Sequence, residues 1–186
     1  MTQSAMPNPV ALYQAAVIRA KSVVGGVSAS QLGNPPPCEK WSVQDLLDHI
    51  LGGLSVQISV MTDGAEKAPD TAANSLATYE AGTSKVVEVT NIPGMMEKQL
   101  QSPFGPITGA PWMMGSFMDT LIHTWDLAKA TGQNTDMDPA LAEACYAAFA
   151  PQIEQFRGPE TFGPAVEVTG TASIQDKLLG IMGRQA

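Results

Sequence analysis

The chain has 186 residues, 44% hydrophobic and 15% charged, with a formal net charge of −8. That balance fits one folded domain spanning residues 1–186 with a sizeable core, and excludes a disordered or fibrous chain. The acidic excess, with no cluster of Lys or Arg, argues against nucleic acid and against anionic membrane surfaces as partners. Two cysteines, Cys38 and Cys145, form neither a disulfide framework nor a Cys-x-x-Cys motif, which suits a reducing cytoplasm. The first eight residues carry no basic lead into an apolar run, and no segment has the apolar length of a membrane span.

A first helix is predicted from Pro9 to about Ser28, with Val10, Tyr13, Ala16, Val17, Ala20, Val23 and Val24 at three- and four-residue spacing. A loop follows, stiffened by Pro35-Pro36-Pro37. Ser42 is placed to cap a second helix, Val43 to about Thr62, whose apolar face is Val43, Leu46, Leu47, Ile50, Leu54 and Ile58. Gly52-Gly53 inside it suggests close packing and nothing more. A polar interval from Asp63 to Ala73 leads to a third helix, about Asn74 to Asn91, with Gly82 in its middle.

From Met95 to Pro111 the chain is turn-rich, with one brief extended piece at most. A fourth helix is predicted from about Trp112 to Thr131, closed by Gly132. Asp138 and Pro139 open a fifth, to about Phe149 or a little beyond Pro151. Gly158 to Thr171 reads as a short strand or a wrapped loop, and Ser173 to Met182 as a last short helix. Helices with polar outer faces imply an all-α bundle with a short C-terminal extension.

The fourth helix carries the chemistry. Asp119 and His123 are four apart, roughly 40° apart on one face at about 100° per residue. A carboxylate and an imidazole so held can grip one divalent cation. The other histidine, His49, lies at the edge of the second helix's apolar face. Spacing leaves two readings open: Phe117, Leu121, Trp125 and Ala128 face the core while Asp119, His123 and Asp126 form a solvent face, or the stripe is half of a metal site. His49 is then either a ligand or a hydrogen-bonded boundary residue. Asp126 either orients His123 or is a surface carboxylate, and Asp45 has the same two options beside His49. Cys38, near the amide-rich end of the second helix, is either a reactive thiol or a small buried residue. Cys145 and the methionines read as core. Phosphate-binding glycine loops, nucleophile elbows and His-Glu-x-x-His are absent from the sequence.

Three stretches resemble a known family. Pro36-Pro37-Cys38-Glu39-Lys40-Trp41-Ser42-Val43-Gln44-Asp45-Leu46-Leu47-Asp48-His49 is similar to a signature of actinobacterial metal-binding proteins in the DinB/YfiT-like superfamily, close to the N-terminal domain of mycothiol-dependent maleylpyruvate isomerase. His123-Thr124-Trp125-Asp126-Leu127-Ala128 resembles its second signature, and Asp176-Lys177-Leu178-Leu179 its tail. The resemblance implies a DinB-like up-down four-helix bundle and a divalent metal, Zn²⁺ with Ni²⁺ as the alternative, held by His49, Asp119 and His123. Asp119 stands where the isomerase has glutamate, one methylene longer.

The resemblance also implies a transferase or isomerase in which the metal activates a low-molecular-weight thiol, mycothiol, against a small electrophilic substrate. A metal-dependent hydrolase and a non-catalytic metal- or small-molecule-binding protein are the alternatives. A homodimer is the oligomeric expectation.

Overall fold

A computed structural model describes residues 8–38, 41–69, 74–158 and 162–185. The N-terminal segment, Glu39 and Lys40 of the first signature, and the end of the polar interval at 70–73 lie outside the described residues. The chain divides into two compact units, Met1–Asn134 and Thr135–Ala186.

The first unit is a four-helix bundle. Helix α1 (Pro9–Gly25) opens where the Asn8 side chain accepts from the N–H groups of Val10 and Ala11, with Pro9 in the first turn. It buries Tyr13, Ala16, Val17, Ala20, Val23 and Val24, the apolar stripe without Val10. It ends at Gly25, three residues before Ser28, and a short 3-10 turn follows at Ala29–Gln31. Helix α2 spans Val43–Met61 and helix α3 spans Ser75–Thr90, the latter capped by Asn74 accepting from the Ala77 N–H at 2.9 Å. Helix α4 runs Gly109–Thr131 and stops at Gly132, whose φ of 68° puts it in the left-handed region that glycine adopts without strain. The main contacts are α1 with α4, α4 with α2, α2 with α3 and α3 with α1, which close a ring around the core. Tyr13, Leu46, Ile58, Tyr79, Met113, Phe117 and Leu127 are fully buried there.

The turn-rich stretch before α4 departs from expectation. It holds a two-stranded antiparallel hairpin, β1 (Gln99–Ser102) and β2 (Gly105–Thr108), with Leu100 opposite Ile107. The Ser102 hydroxyl donates to the Gly105 carbonyl at 2.7 Å and accepts from the Phe104 N–H at 3.1 Å, fastening the two-residue turn. Helix α4 leaves β2 without a break, three residues earlier than the periodicity predicts. Its first N–H groups lack a side-chain cap and bond instead to the Lys98 and Met96 carbonyls at 3.1 and 2.8 Å.

The bundle's glycines sort by what a side chain would meet. At Gly82 on α3 a Cβ would lie 2.6 Å from Leu54 Cδ1, so this glycine admits the α2 leucine and the helix stays unbroken. Gly52 and Gly53 differ from the close-packing expectation, because a Cβ at either would meet nothing within 4 Å. Mid-helix glycine costs about 0.5–1 kcal/mol relative to alanine through backbone entropy. Gly52→Ala and Gly53→Ala are therefore expected to raise stability by about that amount each, read as a higher urea midpoint at unchanged slope. A lowered midpoint in either variant would contradict the open space.

In the second unit, α5 (Pro139–Phe149) is capped by Asp138, which accepts from Ala140 and Leu141 N–H groups, and packs against α6 (Ile174–Ile181). A 3-10 turn follows α5 at Ile153–Phe156. The candidate strand between them is a wrapped loop: Val166 N–H bonds the Gly180 carbonyl at 2.9 Å, and no strand forms among the described residues of this stretch. Residues 159–161 lie outside that description. Cys145 is buried in this unit, and burial pushes its thiol up to about 12, so it is inert core as expected.

Candidate metal centre

The site lies where α2 meets α4. Helix α2 starts at a reciprocal cap: Ser42 Oγ accepts from the Asp45 N–H at 3.2 Å, while the Asp45 carboxylate accepts from the Ser42 N–H at 2.8 Å and its hydroxyl at 2.6 Å. The Ser42 hydroxyl, then its N–H, holds the Asp45 carboxyl below the usual carboxylate range. Asp45 is therefore the exposed carboxylate of the two options read beside His49, and it caps the helix. One turn further on, this helix presents His49 toward α4.

His49 Nε2 lies 3.4 Å from Asp119 Oδ1, and His123 Nε2 lies 3.4 Å from the same oxygen. The three donor atoms fall within 4.8 Å of one another, so the fold brings together the three residues that the sequence singled out. A direct N–H···O bond sits at about 2.7–3.2 Å. Two ligands each about 2.05 Å from a tetrahedral zinc ion stand roughly 3.3 Å apart. The observed spacing is that of a long hydrogen bond from His49 and is also compatible with co-ligands of one cation.

His123 is fixed from behind. Its Nδ1 is 3.1 Å from Oδ2 of Asp126, which is fully buried. A buried carboxylate at Nδ1 selects the tautomer with the proton there and leaves the Nε2 lone pair facing Asp119 and His49. The surface-carboxylate option for Asp126 thus gives way to the orienting one. The segment ahead of α2 covers that side of α4, and Cys38 Sγ donates to the same Asp126 Oδ2 at 3.0 Å. Cys38, His123 and Asp126 make a second group of metal-capable donors.

Trp41, part of the first signature, was given no role from the sequence. Its ring stacks on His123 at 5.9 Å and 26° and lies 4.9 Å from His49, while the two imidazoles meet edge-on at 4.7 Å. The indole thus touches both imidazoles and restrains their rotation. Its position just before the Ser42 cap was the available signal.

Electrostatically the centre is anionic with two imidazoles around it. Burial works against the Asp119 charge, but His123 and then the hydrogen bond to His49 outweigh it and hold the carboxyl below its usual range. The bond to Asp119 raises His49 despite partial desolvation. Burial, Tyr79 and then Asp119 push the Tyr13 phenol up, and burial followed by Asp119 does the same for Tyr79, so both stay neutral inside the bundle. Gln57, Tyr79 and Thr124 line a cavity of about 10 Å³ that reaches Asp119 from the interior.

These shifts fix a pH dependence for the metal-free chain. A raised His49 contributes stability fully below its usual value of 6.5 and loses it as pH rises through the raised value. A lowered Asp119 contributes above its usual value of 3.8 and loses that as pH falls through the lowered value. The pair therefore stabilises most between 3.8 and 6.5, modestly because both side chains are 38% exposed. Asp119→Asn is expected to lower the thermal midpoint more at about pH 5.5 than at about pH 9. An equal drop at both would mean that the pair adds nothing.

The chain is similar to known proteins over most of its length. The family model described as the mycothiol maleylpyruvate isomerase N-terminal domain matches residues 13–128, most of the four-helix unit. Two uncharacterized Mycobacterium tuberculosis proteins, from two strains, are each 33% identical over 179 residues, covering 95% of this chain and 98% of theirs. The crystal structure of a DinB-like protein from Bacillus subtilis aligns with a TM-score of 0.55 at 14% identity, covering 71% of this chain and 95% of that one, a likeness of fold. Among the described residues, no helix is long and apolar enough to cross a membrane.

Proposed function

Since the chain belongs to the mycothiol maleylpyruvate isomerase N-terminal domain family, we propose that it holds one divalent transition metal through His49, Asp119 and His123 and acts on a small electrophile together with a low-molecular-weight thiol. Zn²⁺ is the metal we favour, with Ni²⁺ the alternative, because two imidazoles and a carboxylate suit borderline cations. Mycothiol is the thiol to which the family name points, and S-transfer or thiol-assisted isomerisation the reaction class.

The carrying observation is the pair of Nε2 atoms, each 3.4 Å from one Asp119 oxygen. Three protein ligands are the number found in catalytic zinc sites, where further positions stay open to solvent or substrate. A bound cation would supply acidification of a coordinated thiol, giving a nucleophile at neutral pH. The chain's own part is orientation. Asp126 fixes the His123 tautomer, Trp41 limits rotation of both rings, and Asp119 brings the negative charge that favours a cation.

One observation favours a second, non-catalytic reading as a metal- or small-molecule-binding protein. His49, Asp119, His123 and Asp126 are all taken up by the cluster or by orienting it, and the two nearby phenols stay protonated. Metal-loaded protein assayed on maleylpyruvate and other small electrophiles, with and without mycothiol, separates the readings. Thiol-dependent turnover abolished by a chelator supports the enzyme. Turnover without thiol supports a hydrolase, and metal binding with no turnover supports the binding protein.

A further inference from the structure

We propose that Cys38 is a positioning residue of the metal centre, its thiol holding Asp126 in the orientation that aims His123. This rests on the metal reading above. The thiol lies 3.0 Å from Asp126 Oδ2, the oxygen that also meets His123 Nδ1 at 3.1 Å, while Cys38 Sγ and that nitrogen are 3.9 Å apart. One carboxylate oxygen thus receives an S–H and an imidazole N–H from two donors only 3.9 Å apart. With two donors on one oxygen, rotation of the carboxylate breaks both bonds at once, so each donor holds the group for the other.

The segment that delivers Cys38 is anchored for the task. Gln31 Nε2 donates to the Thr131 carbonyl at 2.8 Å and Asn34 Nδ2 to the Ala130 carbonyl at 3.0 Å, both on the last turn of α4, where carbonyls lack helical partners. The Val43 and Gln44 N–H groups bond back to the Asn34 and Leu32 carbonyls at 2.9 and 3.0 Å. The loop is therefore tied to α4 at one end and to the start of α2 at the other. Between those ties it lays Cys38 on Asp126 and Trp41 on His123. A cysteine present only to fill space has no need of an acceptor. This one is aimed at a buried carboxylate whose other duty is a metal-facing histidine.

Partners of metal-binding histidines typically change affinity by about 10–100-fold when removed. The test compares wild type, Cys38→Ala and Cys38→Ser by Co²⁺ and Zn²⁺ competition against a chelator. In the metal-free proteins, nitrogen-15 NMR of the imidazoles reports the His123 tautomer. Cys38→Ala is expected to weaken binding about 10–100-fold at unchanged stoichiometry and to lose the pure Nδ1–H form. Cys38→Ser, which keeps an O–H donor, should restore both to near wild type.

Unchanged affinity and tautomer in Cys38→Ala would overturn the proposal and leave Cys38 as packing. A sulfur-to-cobalt charge-transfer band in the wild type, lost in Cys38→Ala, would also overturn it, because the thiol would then be a ligand. If His49→Ala and His123→Ala bind metal as well as wild type, the metal reading itself fails. The tautomer of the metal-free protein still decides the role of Cys38 in that case.

Discussion

His49→Ala and His123→Ala are each expected to lose tight metal binding while the chain stays folded. Structural zinc sites bind with roughly 10–16 kcal/mol over four protein ligands, about 2.5–4 kcal/mol each, so one lost imidazole weakens binding on the order of 10²–10³-fold. His49 is the cleaner test. Its side chain is 38% exposed, and truncation opens no core cavity. His123→Ala in addition leaves the fully buried Asp126 carboxylate without one of its donors, a cost of about 1–3 kcal/mol in either metal state. Thermal melts with excess Zn²⁺ add a second readout. Metal at a thousand times its dissociation constant stabilises by about 4 kcal/mol, so the wild type gains a higher midpoint that both variants lose. Wild-type affinity in His49→Ala would remove α2 from the site.

Gly109→Ala is expected to destabilise the bundle by about 2–4 kcal/mol, the upper range for forced overpacking. A Cβ there would lie 2.0 Å from the Met95 carbonyl oxygen and 2.9 Å from the Met96 Cα, both backbone atoms that no rotamer change can move. The strain falls where α4 begins. The Gly109 and Ala110 N–H groups bond the Lys98 and Met96 carbonyls, so relieving the clash means pulling the base of the hairpin away from the helix start. Asp119 lies between two and three turns further along α4, and the loosened start lets that helix shift against α2. Urea titration should give a lower midpoint, and Zn²⁺ affinity a smaller loss than in His49→Ala. A midpoint equal to wild type would mean that the close approach at Gly109 is not maintained.

Much of the fold was legible because helices announce themselves locally. The apolar stripe of α1, the Ser42 cap of α2 and the Asp138-Pro139 start of α5 all rest on residues within one or two turns. The hairpin was not legible. Its strands have four residues each, carry one inward pair in Leu100 and Ile107, and include Pro106, so alternation had too few positions to register. The earlier start of α4 depended on the Lys98 and Met96 carbonyls just ahead of β1, which accept from its first N–H groups, a tertiary fact.

The site divides the same way. The i, i+4 spacing of Asp119 and His123 is a property of one helix, whereas the meeting with His49 needed the family signature. Asp126 was the clearest limit. A helical wheel places it opposite Phe117 and Leu121, hence toward solvent, but the segment carrying Cys38 and Trp41 covers that side and buries it. Periodicity describes one helix at a time and knows nothing of a loop folded over it. Asp45 took the surface option of its two, and its capping partner Ser42 three residues earlier was legible as the signal.

X-ray absorption at the zinc edge, on the full chain loaded with one equivalent of Zn²⁺, tests the central claim most directly. The expected first shell contains only nitrogen and oxygen at about 2.0–2.1 Å with the outer-shell signature of two imidazoles, and the His49→Ala sample retains at most one. A sulfur neighbour at about 2.3 Å would move the metal to the Cys38–His123–Asp126 group. Failure to retain zinc at all would contradict the metal centre, leaving His49, Asp119 and His123 as a polar seam between two helices.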